Sequence, residues 1–327
     1  MTAYIIRRLI HLVPTFLGAT FLAFFVLQIA PGDFLTQWEL DPKIRPETIE
    51  LFRKNFGLDR PILVQYLLWL KNLLQGDFGI SFMYQQPVLD VIWPRIENSL
   101  ILVSLSLVFL YLIGIPVGVY QALRPYTISD YIISFFAYFG LAIPNFFFML
   151  ILIYILVQFK FAYGWTPFPI GGMTSQGFEE LPRYRQWLDI LWHAALPAFV
   201  VVTSDLSGLT RLMRGLVMEV LGQDYIRTAR AKGLSERVVL YKHALRNAII
   251  PIVANIGGIL PGLIGGAGLV EVVANWPGIT PLLLDALNQQ DLYVNAGIIA
   301  LSSLLLIVGN IIADLLLAVV DPRIRYG

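Results

Sequence analysis

Six long apolar stretches constrain this chain more than any other feature of its sequence. A helix needs about 20 mostly apolar residues to cross the hydrocarbon core of a bilayer, which is about 30 Å thick. The stretches cover residues 9–30, 98–120, 132–159, 194–213, 248–274 and 294–320. We therefore predict an all-α polytopic membrane protein with six transmembrane helices.

The overall composition supports a membrane location. Of 327 residues, 57% are hydrophobic and 14% are charged, whereas an ordinary soluble domain carries roughly 25% charged residues. The net charge of +1 gives no field that would attract a nucleic acid, so no nucleic-acid partner is expected. The chain has no cysteine, which excludes disulfides, thiolate metal sites and cysteine nucleophiles.

The first apolar stretch follows Arg7 and Arg8 and continues to Ala30. The apolar core of a secretory signal is shorter, about 7–15 residues. We expect an uncleaved first transmembrane helix, with a cleaved signal peptide as the alternative.

The distribution of Lys and Arg predicts the orientation. With the N-terminus in the cytoplasm, the inside segments are 1–8, 121–131, 211–247 and 321–327. These 63 residues hold 13 of the 23 Lys and Arg, while the 120 residues outside hold the other 10. The excess satisfies the positive-inside rule, so both termini are predicted to be cytoplasmic.

The predicted external segment 31–97 contains two amphipathic helices. Apolar residues recur at helical spacing between Pro46 and Phe56, and Gly57 and Pro61 then interrupt the pattern. A second helix is predicted from Pro61 to Leu74. These helices would lie at the outer membrane interface, where Trp and Tyr are enriched; a small packed extracellular cap is the alternative.

The segment from Asp224 to Pro251 predicts a helix–turn–helix on the inner membrane face. Asp224 is a suitable cap for a helix over residues 225–232, Gly233 would end it, and Ser235 would start the next helix. Three cations lie within six residues: Arg227, Arg230 and Lys232. By composition alone, the segment is explained adequately as a solvated basic loop beside anionic lipid.

No catalytic motif is recognisable in the sequence. It contains no G-x-x-x-x-G-K-[ST] phosphate loop, no H-E-x-x-H and no G-x-S-x-G, and its three histidines are scattered. We expect no catalytic residues, no metal site and no cofactor bound by this chain. Any uphill transport would then draw its energy from an ion gradient or from another subunit.

The same basic segment carries a family resemblance. Residues 224–234 (DYIRTARAKGL) and 243–248 (HALRNA) resemble the EAA loop of binding-protein-dependent ABC importers. They are most similar to the dipeptide/oligopeptide permease family, specifically the first of its two membrane subunits. Arg227 replaces the Glu of the general loop, and Arg246 stands where the general loop has proline; both departures look typical of the peptide-permease branch.

Further matches extend the resemblance over nearly all of the chain. They are IIRRL at 5–9, APGD at 30–33, GDFGIS at 76–81, EVVANWPG at 271–278 and DPRIR at 321–325. The resemblance implies the type I ABC importer permease fold. It implies an N-terminal helix plus external interfacial segment at 1–94, then a permease domain at 95–327 with a cytoplasmic coupling loop at 211–247.

The resemblance also implies a function and partners. The chain would be one permease subunit of an ATP-driven importer of di- or oligopeptides in the cytoplasmic (inner) membrane of a prokaryote. Its partners would be a second homologous permease, two cytoplasmic ABC ATPases that hold ATP and Mg²⁺, an extracytoplasmic substrate-binding protein and the lipid bilayer. The ATPases would contact the coupling loop through Asp224, Tyr225, Arg227, Thr228, Ala229, Arg230, Lys232 and Gly233, with Ala229 and Ala231 supplying a small face.

Two features inside predicted spans allow two readings each. Small residues recur every four positions at Gly258, Gly262 and Gly266; this spacing suits tight packing within the chain or a movable contact with the partner permease. Asp205 is a charge inside a span. It would line the pathway and meet a peptide amino group, or be buried as a hydrogen-bonded or protonated carboxyl.

Rival functions remain open from the sequence alone. The same architecture serves importers of nickel chelates or oligosaccharides. A secondary transporter driven by an ion gradient is the alternative from another class, although no inverted repeat is recognisable. A membrane enzyme is a third possibility, which the missing catalytic set disfavours.

Overall fold

The computed structural model describes residues 2–29, 34–39, 45–252 and 267–320. In this part of the chain the fold is helical, and the one β-type pairing is an isolated bridge between Ile80 and Pro87. The helices are α1 (Thr2–Ile29), α2 (Phe34–Glu39), α3 (Pro46–Asn55), α4 (Ile62–Leu73), α5 (Val88–Leu123), α6 (Ile128–Ala142), α7 (Asn145–Tyr163), α8 (Arg183–Leu221), α9 (Asp224–Ala231), α10 (Glu236–Val238), α11 (Arg246–Ala248), α12 (Leu269–Val273), α13 (Ile279–Asn288) and α14 (Leu292–Val320). A π-helical stretch, Val239–Leu245, connects α10 to α11.

Five helices in the described ranges are long and apolar enough to cross a membrane: α1, α5, α7, α8 and α14. The prediction of a transmembrane helix is thus confirmed for the stretches that begin at residues 9, 98, 194 and 294. The predicted fifth span, 248–274, falls largely on residues 253–266, which lie outside the described part.

The predicted span 132–159 is wrong as a single helix. Its residues belong to α6 and α7, which are separated at Ile143 and Pro144. Ile143 is extended, with φ −93° and ψ 125°, because the residue before a proline is pushed out of the helical region. Pro144 is then the residue that precedes α7, which alone reaches 19 residues and is long enough to cross the membrane.

The helix α8 is much longer than its predicted span of 194–213. It comprises 39 residues and contains Pro197. At about 1.5 Å per residue it is about 58 Å long, roughly twice the thickness of a hydrocarbon core. The predicted inside segment 211–247 therefore begins as a continuation of α8, and the loop itself starts at Gly222.

Contacts between Cα atoms group the chain into two compact units, Met1–Asn98 with Gly278–Ile311 and Ser99–Pro277 with Ile312–Gly327. In the first unit, α3 and α4 have the predicted positions, and α4 packs on α1. The Tyr66 hydroxyl lies 3.0 Å from Thr20 Oγ1, and the Trp69 ring lies 5.8 Å from that of Phe24. Trp69 is only 3% exposed, so it packs inside the unit rather than lying free at an interface.

A buried carboxylate organises the loop between α4 and α5 in the same unit. Asp291, which is fully buried, accepts hydrogen bonds from Ser81 Oγ (2.6 Å), Met83 N (2.9 Å) and Val294 N (3.2 Å). The last bond satisfies one of the free amides at the start of α14. The GDFGIS segment is thereby fixed to the first turn of α14.

In the second unit, α5, α6 and α8 approach closely at glycine positions. A Cβ on Gly118 of α5 would lie 2.6 Å from Met213 Cβ on α8, and a Cβ on Gly140 of α6 would lie 2.9 Å from Thr203 O on α8. Small residues allow such short distances between helices. The three helices thus approach closely along α8 between Thr203 and Met213.

Candidate functional site

The candidate docking element is the helix α9, which follows α8 after only Gly222 and Gln223. Gln223 is its N-cap residue, so the prediction that Asp224 caps the helix is wrong by one position. Asp224 lies in the first turn, where a negative charge interacts favourably with the helix dipole. Gly233 ends the helix as predicted, with φ +77°, a conformation that glycine adopts without steric strain.

One face of α9 packs against its own chain. Ile226 is 0% exposed and Ala229 is 7% exposed, and both belong to an apolar cluster with Val239 and Ala244. Ile226 and Ala229 are three residues apart, so they lie on the same side of the helix. The small Ala229 side chain allows α9 to lie close to the π-helical stretch.

Two polar contacts hold α9 to the helices that follow it. Arg230 donates two hydrogen bonds to the Glu236 carboxylate, at 2.9 Å from Nε and 3.3 Å from Nη2. Asn247 Nδ2 donates to the Tyr225 hydroxyl at 2.9 Å. The short helix is therefore tied to α10 at one position and to α11 at another.

The opposite face of α9 is free of intramolecular packing in the described part of the chain. The exposed side chains belong to Asp224, Arg227, Thr228, Ala231 and Lys232. The Asp224 side chain is 95% exposed and that of Arg227 is 73% exposed, so their 3.3 Å contact lies in water and contributes little to stability. The face is basic, with the small Ala231 among the charged residues.

The predicted contact residues of α9 differ in where their side chains lie: some are buried against the same chain and others are exposed. Ala229 was predicted to lie on the docked face, but it faces inward, because it occupies the side of α9 that packs on Val239. Tyr225 and Arg230 are exposed and also bind within the chain. The sequence analysis did not identify Ile226 as the anchor of α9, although its apolar side chain, three residues from Ala229, is the signal expected for a buried helix face.

A groove along α8 contains the other predicted site residue. Its lining includes Asp205, Gly208, Arg211, Gly215 and Glu219, which recur every three or four residues. They therefore form one side of the helix. Asp205 is exposed in this groove in the single chain. Gly258, Gly262 and Gly266 lie outside the described residues.

Comparison with known proteins identifies the family to which the chain is similar. Residues 114–326 match the family described as binding-protein-dependent transport system inner membrane component, and residues 1–105 match the N-terminal region of such components. The second match includes α1 to α4, and the first includes α9 and the groove of α8.

Full-length relatives carry transport names. The oligopeptide transport system permease protein AppB of Bacillus subtilis is 46% identical over 327 residues, covering 100% of both chains. The dipeptide transport system permease protein DppB of Escherichia coli is 35% identical over 342 residues, covering 100% of this chain and 99% of that protein. A putative peptide permease protein of Brucella ovis is 37% identical over 330 residues, covering 99% of each.

These matches decide among the classes that the sequence left open. An ion-gradient-driven transporter and a membrane enzyme are not favoured, because the chain is a transport-system component whose family is defined by dependence on a binding protein. With its apolar helices and these matches, the chain is a multi-pass membrane protein that belongs to the family of binding-protein-dependent transport system inner membrane components.

Proposed function

We propose that this chain is a permease subunit of an ATP-driven importer of di- or oligopeptides. The relatives named above are oligopeptide and dipeptide transport permeases and match this chain from end to end. Nickel chelates or oligosaccharides, the other cargoes weighed from the sequence, find no support in these names. The chain itself performs no chemistry, and ATP with Mg²⁺ binds on partner subunits.

The observation that carries the coupling role is the two-sided construction of α9. An isolated helix of eight residues would be marginal in water. Here the Ile226 side chain and the Arg230–Glu236 contact fix it, while its basic outer face remains free. Such a helix can transmit a movement of a docked ATPase to α8, because the two helices are joined by only two residues.

The proposed complex contains a second homologous permease, two cytoplasmic ATPases and an extracytoplasmic substrate-binding protein. Both termini of this chain and α9 lie on the cytoplasmic side, as the distribution of Lys and Arg predicts. The exposed residues of α9 that would meet the ATPase are Asp224, Tyr225, Arg227, Thr228, Arg230, Ala231 and Lys232, with Gly233 at the end of the helix. ATP binding and hydrolysis would shift the membrane helices between outward-open and inward-open states.

The groove of α8 is the proposed part of the translocation pathway in this chain. Charged side chains inside a membrane almost always face a water-filled cavity or a protein partner. Asp205 lies within the predicted span 194–213 and on the exposed side of α8, so this side is unsuited to lipid at that level. Asp205 would meet the amino group of a passing peptide.

The docking role is tested by reversing charge on the exposed face of α9. In the double variant Arg227→Glu with Lys232→Glu, we expect association with the ATPases to weaken by at least about tenfold, because cations that meet partner carboxylates become repulsive. The matched control reverses two exposed cations beyond α9, Arg237→Glu with Lys242→Glu. Co-purification and ATP-driven uptake in proteoliposomes are measured, and full activity of the α9 variant would remove the docking role.

The transport mode is tested separately with the wild-type complex. Proteoliposomes that contain this chain with its co-purified partners are given radiolabelled dipeptide and the binding protein. We expect uptake to require ATP and to be unaffected by a proton ionophore. Uptake that follows a proton gradient and ignores ATP would contradict the proposal.

A further inference from the structure

A buried charge network connects three helices of the second unit close to α9. Asp130 of α6 is 4% exposed. Its Oδ2 accepts hydrogen bonds from Arg214 Nη2 of α8 at 3.0 Å and from Tyr126 N at 2.9 Å. Its Oδ1 accepts a bond from Gln121 Nε2 of α5 at 2.9 Å. One carboxylate thus binds three parts of the chain: the end of α5, the connection between α5 and α6, and the helix α8.

The same carboxylate supports an uncommon backbone conformation. Tyr126 has φ +62°, a left-handed value that non-glycine residues rarely adopt. Such conformations persist when surrounding contacts fix them, and here the Tyr126 amide donates to Asp130. The Arg214 guanidinium also lies 5.5 Å from the centre of the Tyr126 ring. The α5–α6 connection therefore depends on Asp130 for its shape and on Arg214 for its attachment to α8.

The network lies close to the point where α8 leads into α9. Arg214 is seven residues before Leu221, the last residue of α8, which corresponds to about 10 Å along the helix axis. On the other side of the network, Gly118 and Gly140 bring α5 and α6 into backbone contact with α8. Packed interfaces of this kind transmit displacement because they are close to incompressible.

From this geometry we infer that Asp130 is a positioning residue for energy coupling: it binds α5 and α6 to α8, so that the three helices follow α9 as one body. The inference rests on the proposed function, since it assumes that an ATPase moves α9. Asp130 touches neither the groove of α8 nor the exposed face of α9. It acts by keeping Arg214 and the α5–α6 connection together.

The first test replaces Asp130 by Asn in the complete complex. The amide retains the size of the side chain but cannot accept from Arg214, Tyr126 and Gln121 at once, because one of its ends is a donor. Breaking one partner of a buried pair is costly, so we expect peptide transported per ATP hydrolysed to fall by about tenfold. ATPase association should stay within about twofold of wild type, since α9 is unchanged. Ser129→Ala, which alters the adjacent and more exposed Ser129–Tyr120 contact, is the control.

The readout separates coupling from mere stability. A variant that only unfolds loses ATP hydrolysis and transport together, whereas lost positioning lowers transport while hydrolysis continues. A transport-to-hydrolysis ratio equal to that of wild type in an assembled Asp130→Asn complex would overturn the inference.

The second test adds a disulfide, first in a protein that keeps Asp130 and then in the Asp130→Asn variant. The chain has no cysteine, and a Cβ on Gly140 would lie 3.3 Å from Thr203 Cβ, close to the roughly 3.5–4.5 Å that a disulfide requires. The pair Gly140→Cys with Thr203→Cys would fix α6 to α8 after a small shift of the two helices, because a Cβ on Gly140 would otherwise lie 2.9 Å from Thr203 O. In the protein that keeps Asp130, we expect oxidation to leave transport within about twofold of the reduced protein. In the protein that also carries Asp130→Asn, we expect oxidation to restore at least half of the lost ratio of peptide transported to ATP hydrolysed. Arrest of transport on oxidation would show that α6 must move against α8 and would overturn the inference.

The two proposals fail in distinguishable ways. If wild-type uptake ignores ATP, the proposed function fails and with it the basis of the inference. If wild-type uptake requires ATP and either the Asp130 substitution or the disulfide fails to give the expected result, the proposed function stands and only the role of Asp130 is lost.

Discussion

Replacing Ile226 by Ala tests how α9 is held in place. The side chain is fully buried, and the substitution removes three carbon atoms. At about 0.8 kcal/mol for each buried methylene, the transfer contribution is about 2.4 kcal/mol, and a cavity that does not collapse increases it further. An eight-residue helix has little stability of its own. Nearly all of this free energy is therefore lost from the state in which α9 is packed against its own chain.

The magnitude predicts a measurable change in local opening. With about 1.4 kcal/mol for each factor of ten, a loss of 2.4 kcal/mol raises the open population of α9 by about 50-fold. Ile226→Val removes one methylene and should raise it by about fourfold. Hydrogen–deuterium exchange of peptides covering residues 224–231, in lipid nanodiscs, reports this opening.

The control for this series is Tyr241→Ala. It removes a larger apolar side chain from the π-helical stretch, but Tyr241 is 63% exposed. Substitution of an exposed side chain changes stability by about 0.5 kcal/mol or less, so exchange in α9 should change by no more than about twofold. Equal exchange in Ile226→Ala and wild type, or equal effects of Tyr241→Ala and Ile226→Ala, would refute the view that burial of Ile226 holds α9.

Two further substitutions test packing and the buried carboxylate of the first unit. Gly118→Ala places a Cβ 2.6 Å from Met213 Cβ, which should cost about 1–3 kcal/mol and lower the melting temperature in detergent; Gly208→Ala, which meets nothing within 4 Å, is the control and should melt like wild type. Asp291→Asn removes a buried charge that accepts three hydrogen bonds, one of them from Ser81. A loss of about 1–3 kcal/mol should make the loop between α4 and α5 more sensitive to limited proteolysis, and an unchanged cleavage rate would contradict the role of Asp291.

Local sequence signals predicted the short helices well. Pro46 begins α3, Gly57 follows its end, and Pro61 immediately precedes α4. Such residues mark helix ends because proline restricts the backbone and glycine frees it at the position they occupy. Gly233 marked the end of α9 for the same reason. Apolar length identified most of the long helices, but it hid the break at Pro144, since hydropathy is as high on both sides of that proline.

Tertiary features were beyond these signals. Asp130 and Arg214 are 84 residues apart in the chain, and no local sequence pattern in either segment predicts that they form an ion pair. Ala229 was placed on the wrong face because a small side chain suits both an inward contact with the same chain and an outward contact with a partner. The neighbouring Ile226 would have decided the question, since a fully apolar residue at helical spacing points to the packed side.

Pro197 divides the long helix α8 into 14 residues before it and 24 after it. Proline inside a helix removes a backbone hydrogen bond and allows bending, so the 24 residues from Ala198 to Leu221 form an arm of about 36 Å. If the arm turns about Pro197, a displacement of about 3 Å at Leu221 moves Asp205, about 12 Å from the fulcrum, by about 1 Å. The displacement at Asp205 would then be one third of that at Leu221. The position of one proline would therefore set how far the groove at Asp205 moves for a given displacement of Leu221 at the end of the helix.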